Sequence, residues 1–263
     1  ITQAANSAIN AGGTTTLAAT ANGTPADITL SGTGNNFVGP VNVSAGDDVT
    51  LVDGTGGLTL GTVTTTGNLA PSALGGDLVM GTSSIGGSLT TTSTGTTDLG
   101  RATITGTGEV TATSGGALNL GNLAMTNPAS DLNAVSTTGN ITQTGPIAVG
   151  GGSNLSAVSG NVSLANASNT FGGAVGVSSI GATISDSTPL TLGNMSVGSG
   201  GLLATSNGDI TQASGATLEV TGPAGFAANG ANSSITLTNS GNDFQGPVSA
   251  SGSGVGGAVP GSV

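Results

Sequence analysis

Short stretches in which apolar and polar residues alternate recur along the chain. Ile28 and Leu30 are separated by one polar residue, and Phe37, Val41 and Val43 follow at fixed intervals. Alternation with period two, bounded by Gly, Asn, Asp and Pro, predicts short β-strands that each bury one face. The predicted structural core positions occupy equivalent places in three copies of this pattern: Phe37, Phe171, Phe244, Leu30, Leu164, Leu237, Val41, Val175 and Val248.

The chain also repeats itself over a longer distance. The phrase ITQ begins at residues 1, 141 and 210, TTGN occupies 65–68 and 137–140, and LTLG or LNLG begins at 58, 118 and 190. Phrases that return in the same order indicate stacked structural units. The second unit is degenerate, since it carries Asp98 where a Phe is expected. We predict one β-helix segment, residues 1–263, built of four repeats: about 1–68, 69–140, 141–209 and 210–263.

A unit of roughly 70 residues holds about three strand-rich coils of roughly 20 to 25 residues, a length suited to one turn of a parallel β-helix. Stacked turns cover one another's inward side chains and pair each backbone with neighbours about 4.8 Å away. The predicted fold is therefore an all-β parallel β-solenoid. About eleven turns would make a rod roughly 50 to 55 Å long.

Composition supports an ordered chain with little reactive chemistry. Of 263 residues, 50 are Gly and 9 are Pro, yet 35% are hydrophobic and 5% are charged, which is not typical of a disordered segment. The net charge is −11 and Arg101 is the one basic residue, which excludes a nucleic-acid role because phosphate binding needs clustered basic side chains. The sequence contains no run of 18 apolar residues, so it predicts no transmembrane helix.

The phrases ITQ, NDFQGPV and LTLG, in this order and at this spacing, resemble the repeat regions of filamentous-haemagglutinin-like exoproteins of Gram-negative bacteria. The resemblance covers essentially the whole chain. It implies a long right-handed parallel β-helix, exported through an outer-membrane partner pore of the two-partner-secretion type, and a role in adhesion. It also implies an extracellular location at the bacterial cell surface. It supplies no functional residues, because the repeats of that family serve as scaffold.

Carboxylates are the candidate reactive groups. Asp47 and Asp48 are adjacent, and Asp53 follows five residues later. Acid and base catalysis on sugars needs two carboxylates roughly 5 to 10 Å apart in a cleft, whereas adjacent strand residues point to opposite faces. Ser and Thr are abundant, but no His or Lys is present to act as a base. We expect these carboxylates in solvated turns, no catalytic residues and no enzymatic activity.

A bound cation is a second candidate. The stretch GGDLVMG at 75–81 distantly resembles a calcium-binding β-roll, but the tandem nonapeptide register of such rolls is missing. Asn and Asp in turns more often bind their own backbone. We therefore expect no metal ligands and no cofactor.

Two functions remain for a long surface with few charges and many hydroxyls. The first is the structural shaft of a secreted or surface-attached filamentous adhesin, which supports adhesion or biofilm contacts with glycans or proteins of host or neighbouring cells. The second is a self-assembling extracellular fibre subunit that stacks through open β-helix ends, since uncapped strand edges favour self-association. Residues 251–263 show no amphipathic cap, which predicts that the chain is part of a longer polypeptide.

Overall fold

A computed structural model describes residues 1–253, and the part of the predicted uncapped end beyond Ser253 lies outside them. Within residues 1–253 the chain forms thirty β-strands and no helix. The strands are β1 Asn10–Ala11, β2 Thr15–Ala18, β3 Thr20–Ala21, β4 Thr24–Pro25, β5 Ile28–Leu30, β6 Asn36–Phe37, β7 Val41–Ala45, β8 Val49–Asp53, β9 Leu58–Thr65, β10 Leu69–Ala73, β11 Leu78–Ile85, β12 Leu89–Ser93, β13 Thr97–Asp98, β14 Arg101–Ile104, β15 Val110–Ser114, β16 Leu118–Asn119, β17 Asn122–Met125, β18 Leu132–Ser136, β19 Ile141–Thr142, β20 Ile147–Val149, β21 Ser153–Leu164, β22 Thr170–Phe171, β23 Val175–Asp186, β24 Leu190–Ser206, β25 Ile210–Gln212, β26 Leu218–Val220, β27 Ala224–Ala228, β28 Ile235–Thr236, β29 Asp243–Phe244 and β30 Val248–Gly252.

Each turn of the chain passes along three sides of one continuous core, and each side is a parallel ladder of strands from successive turns. We define each side by inward residues that are register partners from turn to turn. The first side contains Ile28, Val49, Leu69, Leu89, Val110, Leu132, Ser153 and Val175. The second contains Leu58, Leu78, Thr97, Leu118, Ile141, Val162, Ala182, Leu202, Ala224 and Val248. The third contains Val43, Val63, Ser83, Ala102, Leu123 and Ile147.

The turn length agrees with the spacing of the sequence pattern. Val49 pairs with Leu69 one turn later, and Val110 pairs with Leu132 in the same way. These steps are close to the length of one coil of a parallel β-helix. The structure contains about eleven such turns. The prediction of an all-β parallel solenoid with about three turns per repeat is therefore confirmed.

The core is a single cluster of inward side chains that runs the length of the described solenoid. Of the nine predicted core positions, seven are buried, and Phe244 and Val248 are half-buried in the last described turn. The ring of Phe244 packs edge-on against the buried Phe226, with ring centroids 5.9 Å apart. The strands thus form where the alternation places one apolar residue in every two against this core.

Successive copies of the recurring phrase lie on different sides of the solenoid. Ile28 and Val162, which hold the same place in the phrase, lie on the first and second sides. From Val162 the chain makes three turns to Ala224 and then one further side to Ile235, which follows Ile210 on the third side. Between these two copies the chain therefore advances by three turns and one third, whereas the two units from Ile28 to Val162 together advance by six turns and one third. As a result, the three copies of the phrase lie on three different sides.

Candidate functional site

The phrase ITQ and the phrase that contains the recurring Phe lie on adjacent turns and contact each other through a Gln and an Asn. Gln143 Nε2 donates to Asn169 Oδ1 at 2.7 Å, and Asn169 Nδ2 donates back to Gln143 Oε1 at 2.9 Å. Because each amide donates to the other, the orientations of both are fixed. We call these reciprocal pairs amide clamps; the three are Gln3–Asn35, Gln143–Asn169 and Gln212–Asn242.

Each clamp also satisfies backbone groups at a corner of the solenoid. The side chain of Asn169 is fully buried; its Oδ1 accepts a hydrogen bond from the Ile147 N–H at 2.9 Å, and its Nδ2 donates to the Leu164 carbonyl at 3.1 Å. A buried N–H or C=O left without a partner is costly. The clamp therefore supplies hydrogen-bond partners to backbone groups that the strand ladders do not pair at this corner, and it links two successive turns.

A buried carboxylate from the following turn completes two of these corners. Asp53 Oδ2 accepts the Phe37 N–H at 2.8 Å, and Asp186 Oδ2 accepts the Phe171 N–H at 3.3 Å. Asp53 Oδ1 also accepts the N–H groups of Thr55 and Gly56, each at 3.1 Å. The expectation of a solvated turn is wrong for Asp53, because its carboxylate is turned inward to receive backbone N–H groups that stacking has buried.

Asp186 ends the second-side part of β23, just as Asp53 ends the first-side strand β8, and its carboxylate is likewise buried. Burial removes water from its carboxylate and raises its pKa above the ordinary value of 3.8, although hydrogen bonds from Thr188 and Phe171 partly oppose this. The charged form is thus disfavoured in the folded state. The protonated carboxyl of Asp186 therefore contributes stability to the folded state. This contribution is present in full below pH 3.8 and is lost as the pH rises through the raised pKa.

Replacing Asp186 by Asn should remove this pH dependence. We expect the free energy of unfolding of the natural chain, minus that of Asp186→Asn, to be larger near pH 3 than near pH 7. Urea denaturation of both proteins across this range measures the difference, in which the titration of the carboxylates common to both cancels. A difference that grows toward pH 7 would mean that hydrogen bonds to the carboxylate outweigh its desolvation.

Other carboxylates and amides at the corners accept backbone N–H groups of the next turn. Asp48 Oδ1 accepts the N–H of Asn68 at 2.8 Å, and Asp77 Oδ1 accepts that of Thr96 at 2.7 Å. Asp47 Oδ1 accepts the Thr66 hydroxyl at 2.7 Å. Asp47 and Asp48 lie in the turn between β7 and β8, half-buried and exposed respectively. These carboxylates act as structural acceptors, Asp47 and Asp48 at one corner and Asp77, in the calcium-like stretch, at another.

The remaining chemistry is sparse. Within residues 1–253, no group of three or more acidic side chains lies close enough together to hold a metal ion. In that same part of the chain, no helix is long and apolar enough to span a membrane. Arg101 is exposed on the third side.

Among the shallow grooves of the described surface, two lie over strand ladders. The larger, about 610 Å³, lies on the second side and is lined by residues that include Gly181, Gly201, Asn161, Leu203 and Pro223; its described lining is uncharged. The smaller, about 350 Å³, lies on the first side, and its lining combines apolar side chains with the amides of Asn133, Asn154 and Asn194 and includes Glu219. In it, Asn154 Nδ2 donates to Asn133 Oδ1 at 3.3 Å. Both surfaces offer hydrogen-bonding groups, and neither lining pairs a nucleophile with a base.

Sequence reasoning singled out ITQ and the Phe phrase but missed that Gln and Asn pair with each other. A signal was present, since the degenerate second unit has lost both partners together. Pro71 stands in the place of the Gln, two residues after Leu69, and Thr96 stands where the Asn is expected, two residues before Asp98. The joint loss indicates contact between the two positions.

The stacked coils, the repeating corners and the continuous core define a β-solenoid repeat protein. The family described as "Repeats of unknown function (DUF5649)" matches residues 1–44, 107–178 and 180–251, more than half of the chain. The chain therefore belongs to this family. Neither a search of curated proteins nor a search of solved structures found a match. The unmatched internal segment, residues 45–106, contains the region from which the clamp has been lost.

Proposed function

We propose that the chain is a structural shaft of a secreted or surface-attached filamentous adhesin, which carries adhesive or biofilm contacts away from a bacterial cell and performs no catalysis. The observation that carries this proposal is the unbroken stacking of parallel strands from Thr2 to Gly252 around one core. Each turn contacts its two neighbours, so length is added without any change of fold. A solenoid of this kind can be both long and stiff, as a shaft must be.

The use of the polar side chains supports a scaffold role. The amide clamps and corner carboxylates direct their oxygen atoms at backbone N–H groups, so these side chains serve the scaffold. In the two shallow grooves, hydroxyl and amide groups lie among apolar side chains and glycines. These surfaces could bind glycans or proteins through many weak hydrogen bonds, which is how a shaft would contribute to adhesion.

Export through an outer-membrane partner pore is part of the proposal and is supported by the resemblance of the repeat phrases. The chain contains no Cys, which suits folding outside the cell without any disulfide chemistry. Parallel solenoids can also fold turn by turn as the chain emerges, because each turn needs only the preceding one as a template.

Surface display is the property to test first. Asn22 and Gly23 form the tip of the exposed β3–β4 hairpin, with φ angles of 52° and 81°, and a short epitope inserted there leaves the ladders intact. We expect an antibody to the epitope to label intact producing cells as strongly as permeabilised ones. Labelling only after permeabilisation would overturn the surface location.

The shaft proposal also predicts that whole turns can be removed. Ile28, Val49, Leu69 and Leu89 are successive register partners, so deletion of residues 28–88 places Leu89 where Ile28 stood, three turns earlier. The shortened chain should retain its β-sheet circular dichroism, and its maximum dimension in solution scattering should fall by about 14 Å. A chain that unfolds, or one with unchanged length, would contradict interchangeable turns.

A further inference from the structure

One turn of the solenoid has a core unlike its neighbours. We call residues 78–98, which comprise β11, β12 and β13, the polar turn. The inward side chains of Ser83 and Thr91 are each 1% exposed, and neither hydroxyl oxygen has a hydrogen-bond partner. The hydroxyls of Ser130 and Ser153 are also buried and unpaired, but they lie in two separate turns, whereas the polar turn holds two. An unpaired buried hydroxyl destabilises the segment that contains it, because its hydrogen bonds to water are lost without replacement.

The packing around these hydroxyls is also thin. In the following turn, Ala102 is the register partner of Ser83, and Ala112 is the partner of Thr91. Two sides of the core therefore carry small side chains over two consecutive turns. On the third side the same ladder holds Leu123 one turn further on. At these two positions less apolar surface is buried than a Leu, Val or Ile would bury, while Ile85 and Leu89 of the polar turn remain buried in the core.

The strand ladder is weakened at the same place. Pro71 lies buried in the middle of β10, and the pairing of β10 with β12 skips Ala70 and Pro71. Proline has no N–H group, so this ladder lacks a hydrogen bond directly beneath Thr91. The amide clamp is absent as well, since Pro71 and Thr96 occupy the places of its Gln and Asn.

We infer that the polar turn is the segment of the solenoid that opens first, while the turns on either side stay folded. Unpaired hydroxyls, small core residues, a missing ladder bond and a missing clamp all act on the same short stretch. Proteins open locally where buried apolar contacts are few and the backbone bonds are weak. If the chain is a shaft as proposed above, this turn is a yield point that extends under load before the rest unfolds. The local opening itself does not depend on that function.

Native-state hydrogen exchange of the whole chain, followed by mass spectrometry, tests the inference. We expect peptides covering residues 78–98 to exchange faster than peptides covering 175–186 and 190–206, segments of the same parallel ladders in which no buried side-chain oxygen lacks a hydrogen-bond partner. Exchange in the polar turn that is as slow as in these segments would overturn the inference, whatever the cellular role of the chain.

The variant Thr91→Val keeps the size and branching of the side chain and removes the unpaired hydroxyl. It should slow exchange of the polar turn by roughly 5- to 30-fold, the change that one or two kcal/mol of local stability produces. Thr90→Val, at the exposed neighbouring position of the same strand, is the matched control and should leave the rate nearly unchanged. Ser83→Ala provides an independent second variant on the third side. Equal effects of Thr91→Val and Thr90→Val would contradict a role for the buried hydroxyl.

Discussion

Replacement of Phe171 by alanine should lower the free energy of unfolding by about 3 to 5 kcal/mol. The ring is 2% exposed and lies in register over Val149 in the third-side ladder. Its removal leaves a cavity that the flanking turns cannot close, because their backbones are held at a fixed spacing by the ladders. Urea denaturation or a thermal melt followed by circular dichroism measures the loss.

Two variants calibrate this result. Phe171→Leu keeps an apolar side chain at the site and should lose much less than Phe171→Ala. Val38→Ala changes a side chain that is 69% exposed and should shift stability by less than about 0.5 kcal/mol. An unchanged melt for Phe171→Ala would mean that the ring is accessible in solution, and Phe171 would then become a candidate binding residue on the surface.

The strands and the solenoid were predictable because one local rule generates them. Alternation at Ile28 and Leu30, repeated at Val162 and Leu164, places one side of each strand in the core. Stacking then follows, since a single coil cannot cover its own inward side chains. A second chain with this pattern would allow the same inference without a structure.

The rotation of the repeat was not predictable from the sequence alone. The length of the unit divided by the length of a typical β-helix coil gives about three turns, but it does not fix the remaining third. That third depends on the corners, whose lengths vary, since the step from Val49 to Leu69 is shorter than the step from Val110 to Leu132. Small changes at the corners accumulate over three turns. Only the register partners reveal that the third copy of the phrase has moved one side beyond the second.

Buried polar residues were missed for a related reason. In the sequence, Asp53 and Asp186 look like ordinary turn residues, because Asp between Gly, Ser and Thr is typical of solvated turns. Their burial arises from the turns stacked above and below, which a local pattern does not describe. The same applies to Thr91, whose threonine neighbours on the same strand are exposed.

These residues also explain why the phrases repeat. A corner must satisfy N–H and C=O groups that neither adjoining ladder reaches, and the amide clamp does this with two side chains from adjacent turns. Because both partners are needed, a unit keeps them together or loses them together. The second unit has lost them, and it contains the polar turn.

The clamp should account for a large share of the stability of its corner. Asn169→Ala removes the reciprocal bonds to Gln143 and leaves the buried Ile147 N–H without its acceptor and the Leu164 carbonyl without this donor. We expect a loss of about 2 to 5 kcal/mol in urea denaturation, because each orphaned buried group costs about 1 to 3 kcal/mol. Asn154→Ala, which removes an exposed amide that donates one 3.3 Å hydrogen bond, is the control and should cost less than about 0.5 kcal/mol.

A double-mutant cycle separates the clamp from the packing of its parts. If Gln143 and Asn169 act as one unit, the losses of Gln143→Ala and Asn169→Ala should not add, and the double variant should be more stable than their sum predicts by about 0.5 to 3 kcal/mol. Losses that add would mean that each amide serves only its own backbone contacts. In that case the joint absence of both residues from the second unit would need another cause, and the corner would be held by Asp186 and the Phe171 ring instead.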